Sequence, residues 1–346
     1  MVLQTIRLGG TASGISVGRV AHGLMTMTWV SGTTNPISDE QAFEAIRAGV
    51  DALPPGTKMF LNSGEFYDMK GGTGNLELLS RFFAKYPEYA DKTFLSVKGG
   101  LRGKIPQLTP DGSLAFLRSS VDNIIRALGP NKKLDLFQPA RIDRTLPVES
   151  IMTNLVALLE EGKFSHIGLS ECNANTLRKA HSVYPVTAAE IEVSAWEYGE
   201  EQKAVIAAAT ELNISVLAYS PLGRGFFTGK INSLADIPQG DLRTRHDRFK
   251  EQNFNANLAI VDGLKAIADR KGVLVSQLCI AWVASLGSTV IPLPGSSKAS
   301  RTLENIQGGD MELTEEEVKA IDAVLSANPV AGERYYGKAV DVHLWG

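Results

Sequence analysis

The sequence predicts a (β/α)8 barrel, and three observations support that fold class. Eight short apolar runs follow one another along the 346 residues. Amphipathic helical patterns fill most of the intervals between them. No linker, low-complexity tract or short repeat interrupts the series. Strands covered on both faces read as short apolar runs, and parallel neighbours need a crossover between them, usually a helix. A doubly wound sheet normally carries fewer consecutive units, so one closed barrel over residues 1–346 is the expected domain. A long loop after the seventh strand and an irregular C-terminal tail complete the expected architecture.

The eight strands are read at VAHGLM (20–25), KMFL (58–61), TFLSV (93–97) and LDLFQ (134–138), then at SHIGL (165–169), TAAEIEV (187–193), ISVLAY (214–219) and TVIPL (289–293). SDEQAFEAIRAGV follows the first strand, with Ser38 as an N-cap and acids in its first turn, the usual signature of a helix start. DGSLAFLRSSVDNIIRALG keeps helical apolar spacing until Gly129 and Pro130 stop it. VESIMTNLVALLEEGK does the same and stops near Gly162. The last strand leads into SSKASRTLENI. Residues 220–254 form an excursion outside the alternation, and excursions of that length usually serve a function. The tail NPVAGERYYGKAVDVHLWG is aromatic and glycine-rich, so it should pack back on the barrel rather than hold its rings in water.

Composition narrows the function classes. Hydrophobic residues are 44%, charged residues 21% and the formal net charge is −3. That balance offers no basic stripe for nucleic acid or an anionic membrane. Cys172 and Cys279 make neither a disulfide framework nor a metal-ligand pattern, and they suit a reducing compartment. MVLQTIRLGG lacks the apolar core of a signal peptide, and no apolar run approaches the roughly 20 residues that span a bilayer. A soluble chain in the cytoplasm, or in cytoplasm and nucleus, is expected, with no bound metal.

In such a barrel the active site gathers at the C-terminal ends of the strands. That rule selects Asn62 and Tyr67 after the second strand, Lys98 after the third, Gln138 and Ala140 after the fourth, Ser170, Glu190 and Tyr219. A phenol is mostly neutral at pH 7 and can donate a proton, and a neighbouring ammonium stabilises the phenolate left behind. Tyr67 and Lys98 could therefore protonate a carbonyl oxygen while hydride reaches the carbon. Spacing alone favours the plainer reading, a half-buried loop tyrosine and a lysine capping a strand end. In IPLPGSSKASRTLEN, Gly295, Ser296 and Ser297 precede a helix whose free N–H groups suit a phosphate, with Lys298, Arg301 and Asn305 on neighbouring faces. A capped helix with a solvated basic face is the alternative. AYSPLGRG offers a glycine-rich turn where backbone can approach a ligand, or an ordinary turn. Trp29 could form a pocket wall or simply pack. His22 and His166 fall within strand patterns and read as core residues.

Taken together, FLNSGEFYD, SVKGG, HIGLSECN, AYSPLGRG and IPLPGSSKASRTLEN resemble the aldo-keto reductase superfamily over about residues 20–306. The resemblance implies an NADPH-dependent oxidoreductase. It implies that Tyr67 donates the proton, that Lys98 lowers its pKa, that Ser170 holds the nicotinamide carboxamide and that Tyr219 stacks on the ring. Ser220, Leu222 and Gly223 would line the pyrophosphate. Ser297 and Arg301, with help from Lys298, would hold the 2′-phosphate. Glu304 and Asn305 would face the adenine, and the excursion would cover the cofactor like a belt.

Departures from the family pattern are equally informative. Asn62 stands where the family has an aspartate, so Lys98 is expected to lose a counterion while keeping a hydrogen bond. Ala140 stands where the family has a histidine, which removes a donor to the substrate carbonyl. Glu171 replaces an asparagine and Glu190 a glutamine among the carboxamide partners. HGLMTMTW, FLNSGEFY and QPARID are similar to fungal pyridoxal reductases. That likeness implies reduction of pyridoxal to pyridoxine, with Ala140 opening room for a flat pyridine aldehyde. Two other readings stay open: a broad aldehyde and carbonyl reductase, and an NADPH-binding redox sensor acting through a partner, as for potassium-channel β subunits. No protein partner is legible.

Overall fold

The computed structural model describes residues 3–29, 37–104, 107–335 and 344–346. Eight parallel strands form one sheet: β1 (His22–Gly23), β2 (Met59–Gly64), β3 (Thr93–Gly99), β4 (Leu136–Pro139), β5 (His166–Ser170), β6 (Ala188–Glu192), β7 (Ser215–Tyr219) and β8 (Val290–Leu293). They neighbour one another in chain order. Between first and last, Ala21 N donates to Pro292 O (2.9 Å) and Gly23 N to Pro294 O (3.0 Å), so the sheet closes on itself. All eight expected strands are present. The first is shorter than expected, because the backbone coils into a helical turn at Met25–Met27 where the apolar run continues.

Strand pleating sorts each strand into inward and outward residues with a period of two. Phe60, Phe94, Leu136, Ala188, Leu217 and Ile291 pack together inside the barrel. Beneath them lies an N-terminal hairpin, Thr5–Arg7 paired with Ser16–Gly18, whose neighbours Leu8, Ala12 and Val17 close the floor. Two residues further along, the inward positions turn polar: Asn62, Ser96, Gln138 and Glu190. Outward residues such as Leu61, Val97, Phe137 and Ile191 meet the helices in a second, larger core.

The helices are α1 (Asp39–Asp51), α2 (Gly74–Lys85), α3 (Leu114–Leu128), α4 (Val148–Glu160), α5 (Ala174–Val183), α6 (Glu200–Glu211), α7 (Glu251–Lys271), α8 (Val275–Ser285), α9 (Ala299–Gly309) and α10 (Glu315–Ala327). Ser38 caps α1 by accepting from Gln41 N (3.3 Å), as its sequence implied. The excursion after β7 is not a free loop. Short helical turns occupy it from Gly223 to Phe249, and its last residues already belong to α7. Phe226 stacks on Trp196 at 4.8 Å and Arg248 pairs with Glu197 at 2.5 Å, so much of the segment is pinned to the barrel. The described parts of the tail also dock on the barrel: Gly346 N donates to Glu171 O (2.9 Å), and Arg334 is buried. The rest of the tail lies outside the described residues.

Phe60 is fully buried and its ring lies 5.2 Å from that of Phe94. Phe60→Ala leaves a cavity the closed sheet cannot collapse, and it should cost about 3–5 kcal/mol in denaturant unfolding. A loss below about 1 kcal/mol would mean that the interior is not close-packed.

Candidate active site

β2 ends at Gly64 and the chain turns at once, with Tyr67 N donating to Gly64 O (3.1 Å). The turn lays the tyrosine ring directly over the glycine, where a Cβ would sit 3.0 Å from ring carbons. Glu65 fixes the turn from the side. Its backbone N–H donates to Lys98 O (2.7 Å), and its carboxylate accepts from Ser120 and Asn123 on α3. Thr28 donates to Tyr67 O (2.6 Å), and Trp29 stands edge-on to the Tyr67 ring with centroids 6.5 Å apart.

β3 carries Lys98 into the same space. Its Nζ lies 5.2 Å from the centre of the Tyr67 ring, and the residue is 4% exposed. Such an ammonium needs a partner. Asn62 Oδ1 accepts a hydrogen bond from it, and Glu190 Oε1 pairs with it at 2.8 Å. Asn62 Nδ2 donates to Glu190 Oε2 (2.7 Å), as does Gln138 Nε2 (2.6 Å). Lys98 therefore does not lose its counterion, contrary to expectation. The carboxylate absent at Asn62 reappears on β6, because the inward layer brings the two strands together across the barrel.

Electrostatics keep both groups protonated at neutral pH. Burial pushes the Tyr67 phenol above its ordinary value, and the pull of Lys98 in the opposite direction does not outweigh it. Lys98 lowers the phenol's pKa, as expected of it, while burial turns the net direction upward. Burial disfavours the Lys98 ammonium, but Glu190 and then Tyr67 more than offset this and raise its pKa. The arrangement can hold a neutral phenol beside a cation, which is what proton donation to a carbonyl oxygen requires.

Ala140 lies at the end of β4, fully buried, its N–H donating to Gly99 O (2.8 Å). Ser170 ends β5, and its buried Oγ has no partner among the described residues. Tyr219 ends β7 with its hydroxyl donating to Glu171 Oε1 (2.8 Å). Ser220 and Gly223 take positive φ values of 52° and 53°, so the turn with Leu222 bends sharply out of the strand. At α9, Lys298 and Arg301 are exposed and Ser297 half-buried. Ser297 O accepts from Gln41 Nε2 (2.8 Å), and Glu304 accepts from Ser276 (2.7 Å). Asn305 Oδ1 is buried without a partner among the described residues. His22 props this loop from below through Ser296 O (2.9 Å), and burial lowers its pKa to about 4. The Ser170 and Asn305 oxygens are thus both buried and without a partner among the described residues, polar groups that a bound ligand could satisfy.

A network above this layer escaped the sequence reading. Arg334, from the tail, donates to Glu192 (2.7 Å), Glu171 (2.7 Å) and the Tyr219 hydroxyl (2.6 Å). Arg224 pairs with Glu192 at 3.4 Å. Burial would raise the Glu192 carboxyl, but Arg334 and Arg224 bring it down to about 2. Arg334 is 142 and 163 positions from its partners, so no local pattern announces the contact. The one signal was a charged residue inside an aromatic tail.

The barrel and its polar rim, with the family pattern the chain carries, are those of an NADP(H)-dependent oxidoreductase. The chain belongs to the aldo/keto reductase family, whose pattern it matches over residues 19–326. It is an aldehyde or carbonyl reductase of that family, with NADPH as cofactor. A Schizosaccharomyces pombe protein named as a candidate pyridoxal reductase is 34% identical, over 93% of this chain and 96% of its own. A Saccharomyces cerevisiae protein so named is also 34% identical, over 91% and 94%. An aldo-keto reductase of Glycine max is 30% identical over 99% and 94%. Among solved structures, the glycerol dehydrogenase of Gluconobacter oxydans superposes with a TM-score of 0.80 at 26% identity, covering 97% of this chain and 100% of its own. A thermostable aldo-keto reductase in complex with epalrestat shares the fold, with a TM-score of 0.67 at 19% identity over 93% and 100%. Among the described residues no helix is long and apolar enough to cross a membrane.

Glu190→Gln should strand a buried ammonium and cost about 3–5 kcal/mol at pH 7. Adding Asn62→Asp should return most of it, since the charge moves to the other side of Lys98. Because Lys98 has a raised pKa when folded, its contribution is complete below its unfolded value and fades as pH rises past that value. Unfolding curves at neutral and alkaline pH check both points. Equal stability of Glu190→Gln and wild type would remove Glu190 as the counterion.

Proposed function

We propose that this reductase acts on flat aromatic aldehydes and that pyridoxal, reduced to pyridoxine, is a substrate. The observation that carries the reading is the Tyr67 phenol beside the Lys98 ammonium at the rim of the barrel. Two yeast relatives named as candidate pyridoxal reductases support the choice of aldehyde. The glycerol dehydrogenase and the plant relative favour a broader range, in which pyridoxal is one aldehyde among several.

In this reading NADPH, when bound, supplies the hydride. The chain's own residues position, polarise and protonate. Tyr67 gives its proton to the carbonyl oxygen. Lys98 stabilises the phenolate that remains, and Glu190 with Asn62 keeps Lys98 charged and in place. Trp29 walls one side of the aldehyde, and Ala140 leaves room that an imidazole would occupy. Ser170 and Tyr219 orient the nicotinamide, with Ser220, Leu222 and Gly223 along the pyrophosphate. Ser297, Lys298 and Arg301 hold the 2′-phosphate, and Glu304 and Asn305 meet the adenine.

A steady-state panel tests the substrate: kcat/KM for pyridoxal should exceed that for unrelated aldehydes, and near-equal values would leave the broad reading. In the same assay Tyr67→Phe should lose at least about a hundredfold in turnover while NADPH still quenches tryptophan fluorescence. Undiminished reduction would sink the proton-donor role. Arg301→Ala should weaken NADPH far more than NADH, since only NADPH carries the 2′-phosphate; parallel losses would contradict that contact.

A further inference from the structure

Arg141 follows Ala140 immediately beyond β4, and among the described residues no carboxylate pairs with it at contact distance. Its Nη1 donates to the neighbouring carbonyl of Ala140 (2.5 Å). Its Nε is shut off from water and has no hydrogen-bond partner. Among the described residues it enters no ion pair. The other arginines around the rim differ: Arg334 holds Glu171 and Glu192, Arg224 holds Glu192, and Arg248 holds Glu197.

Its location makes this informative. Standing two residues beyond the end of β4, Arg141 shares the barrel rim with Tyr67 and Tyr219. Its guanidinium charge is felt by Tyr335, Tyr219, Glu171 and Arg334, and by the Tyr67 phenol. Arg334 opposes it with like charge, and Glu171 is already engaged by Arg334 and Tyr219. Arg141 is half-buried, and a guanidinium partly withdrawn from water without a carboxylate at contact distance is costly, a cost that an anionic ligand would offset. The cofactor's phosphates are expected beside β7 and α9, away from β4, which leaves the substrate as the source of the anion.

We propose that Arg141 recognises an anionic oxygen on the ring of an aromatic aldehyde, next to the carbonyl that Tyr67 faces. Pyridoxal fits this description, because its ring hydroxyl sits beside the aldehyde and is ionised at neutral pH. The planar fork of a guanidinium suits an oxyanion flanking a carbonyl better than a point charge does. Arg141 thereby supplies a charged donor near the place where Ala140 leaves none. The inference rests on the reading of the Tyr67 rim as the aldehyde site, and it extends that reading from ring shape to ring charge.

The test compares two matched pairs of aldehydes with NADPH at pH 7: pyridoxal against pyridine-4-carbaldehyde, and 2-carboxybenzaldehyde against benzaldehyde. Wild type should prefer the anionic member of each pair in kcat/KM. Arg141→Gln should shrink that preference at least tenfold, and Arg141→Lys should retain part of it. An unchanged preference in Arg141→Gln, or none in wild type, overturns the assignment. If pyridoxal is not reduced but the 2-carboxybenzaldehyde preference collapses in the variant, the pyridoxal reading falls and Arg141 stands. If pyridoxal is reduced equally by wild type and Arg141→Gln, Arg141 falls and pyridoxal stands. Should Arg141→Gln fail to fold, benzoate and benzamide decide the point on wild type: benzoate must inhibit more strongly, and equal inhibition refutes the role.

Discussion

A buried ammonium is the constraint around which the barrel mouth is arranged. Lys98 lies almost out of reach of water, and a charge in that position persists only with a partner at contact distance. Glu190 is that partner, from a strand on another side of the barrel. Asn62 and Gln138 then add hydrogen bonds to the pair, Asn62 to both of its members and Gln138 to Glu190. Four strands thus converge on one charge, and Tyr67 rests its ring above it.

Exchange of charge between positions explains how an altered site remains self-consistent. An asparagine where relatives of this type carry an aspartate would empty the Lys98 environment if nothing else changed. The accompanying glutamate on β6 restores the negative charge from the opposite side. Electroneutrality is preserved while the hydrogen bonds are redrawn. The same logic extends outward, where Glu171 and Glu192 answer Arg334 and Arg224. Arg141, on the same rim, enters no ion pair among the described residues, and the proposed anionic ligand rests on that observation.

Much of the fold was legible because its signals are local. Short apolar runs, the Ser38 cap and the Gly129 stop each depend on residues a few positions apart. Asn62, Lys98, Ser170 and Tyr219 could be selected because strand ends in a barrel share one rim. The excursion after β7 was visible as a departure, but its compaction was not. Phe226 finds Trp196 and Arg248 finds Glu197 only once the chain has folded. Arg141 was hidden for a different reason. One arginine after a strand is unremarkable until it is seen to enter no ion pair among the described residues.

By itself the sequence determined the number and order of the eight barrel strands, the helices whose caps and stops are local, and most of the polar residues at the barrel mouth, but not the N-terminal hairpin that closes the floor. These follow from periodicity and turn chemistry, which act over one strand or one helix. Tertiary structure alone decided which charges meet. The Lys98–Glu190 pair, the docking of Arg334 and the lack of an ion pair at Arg141 among the described residues depend on side chains that are distant in sequence. Closure of the sheet sets those distances, and Coulomb interactions in a poorly solvated interior are governed by distance rather than by sequence separation.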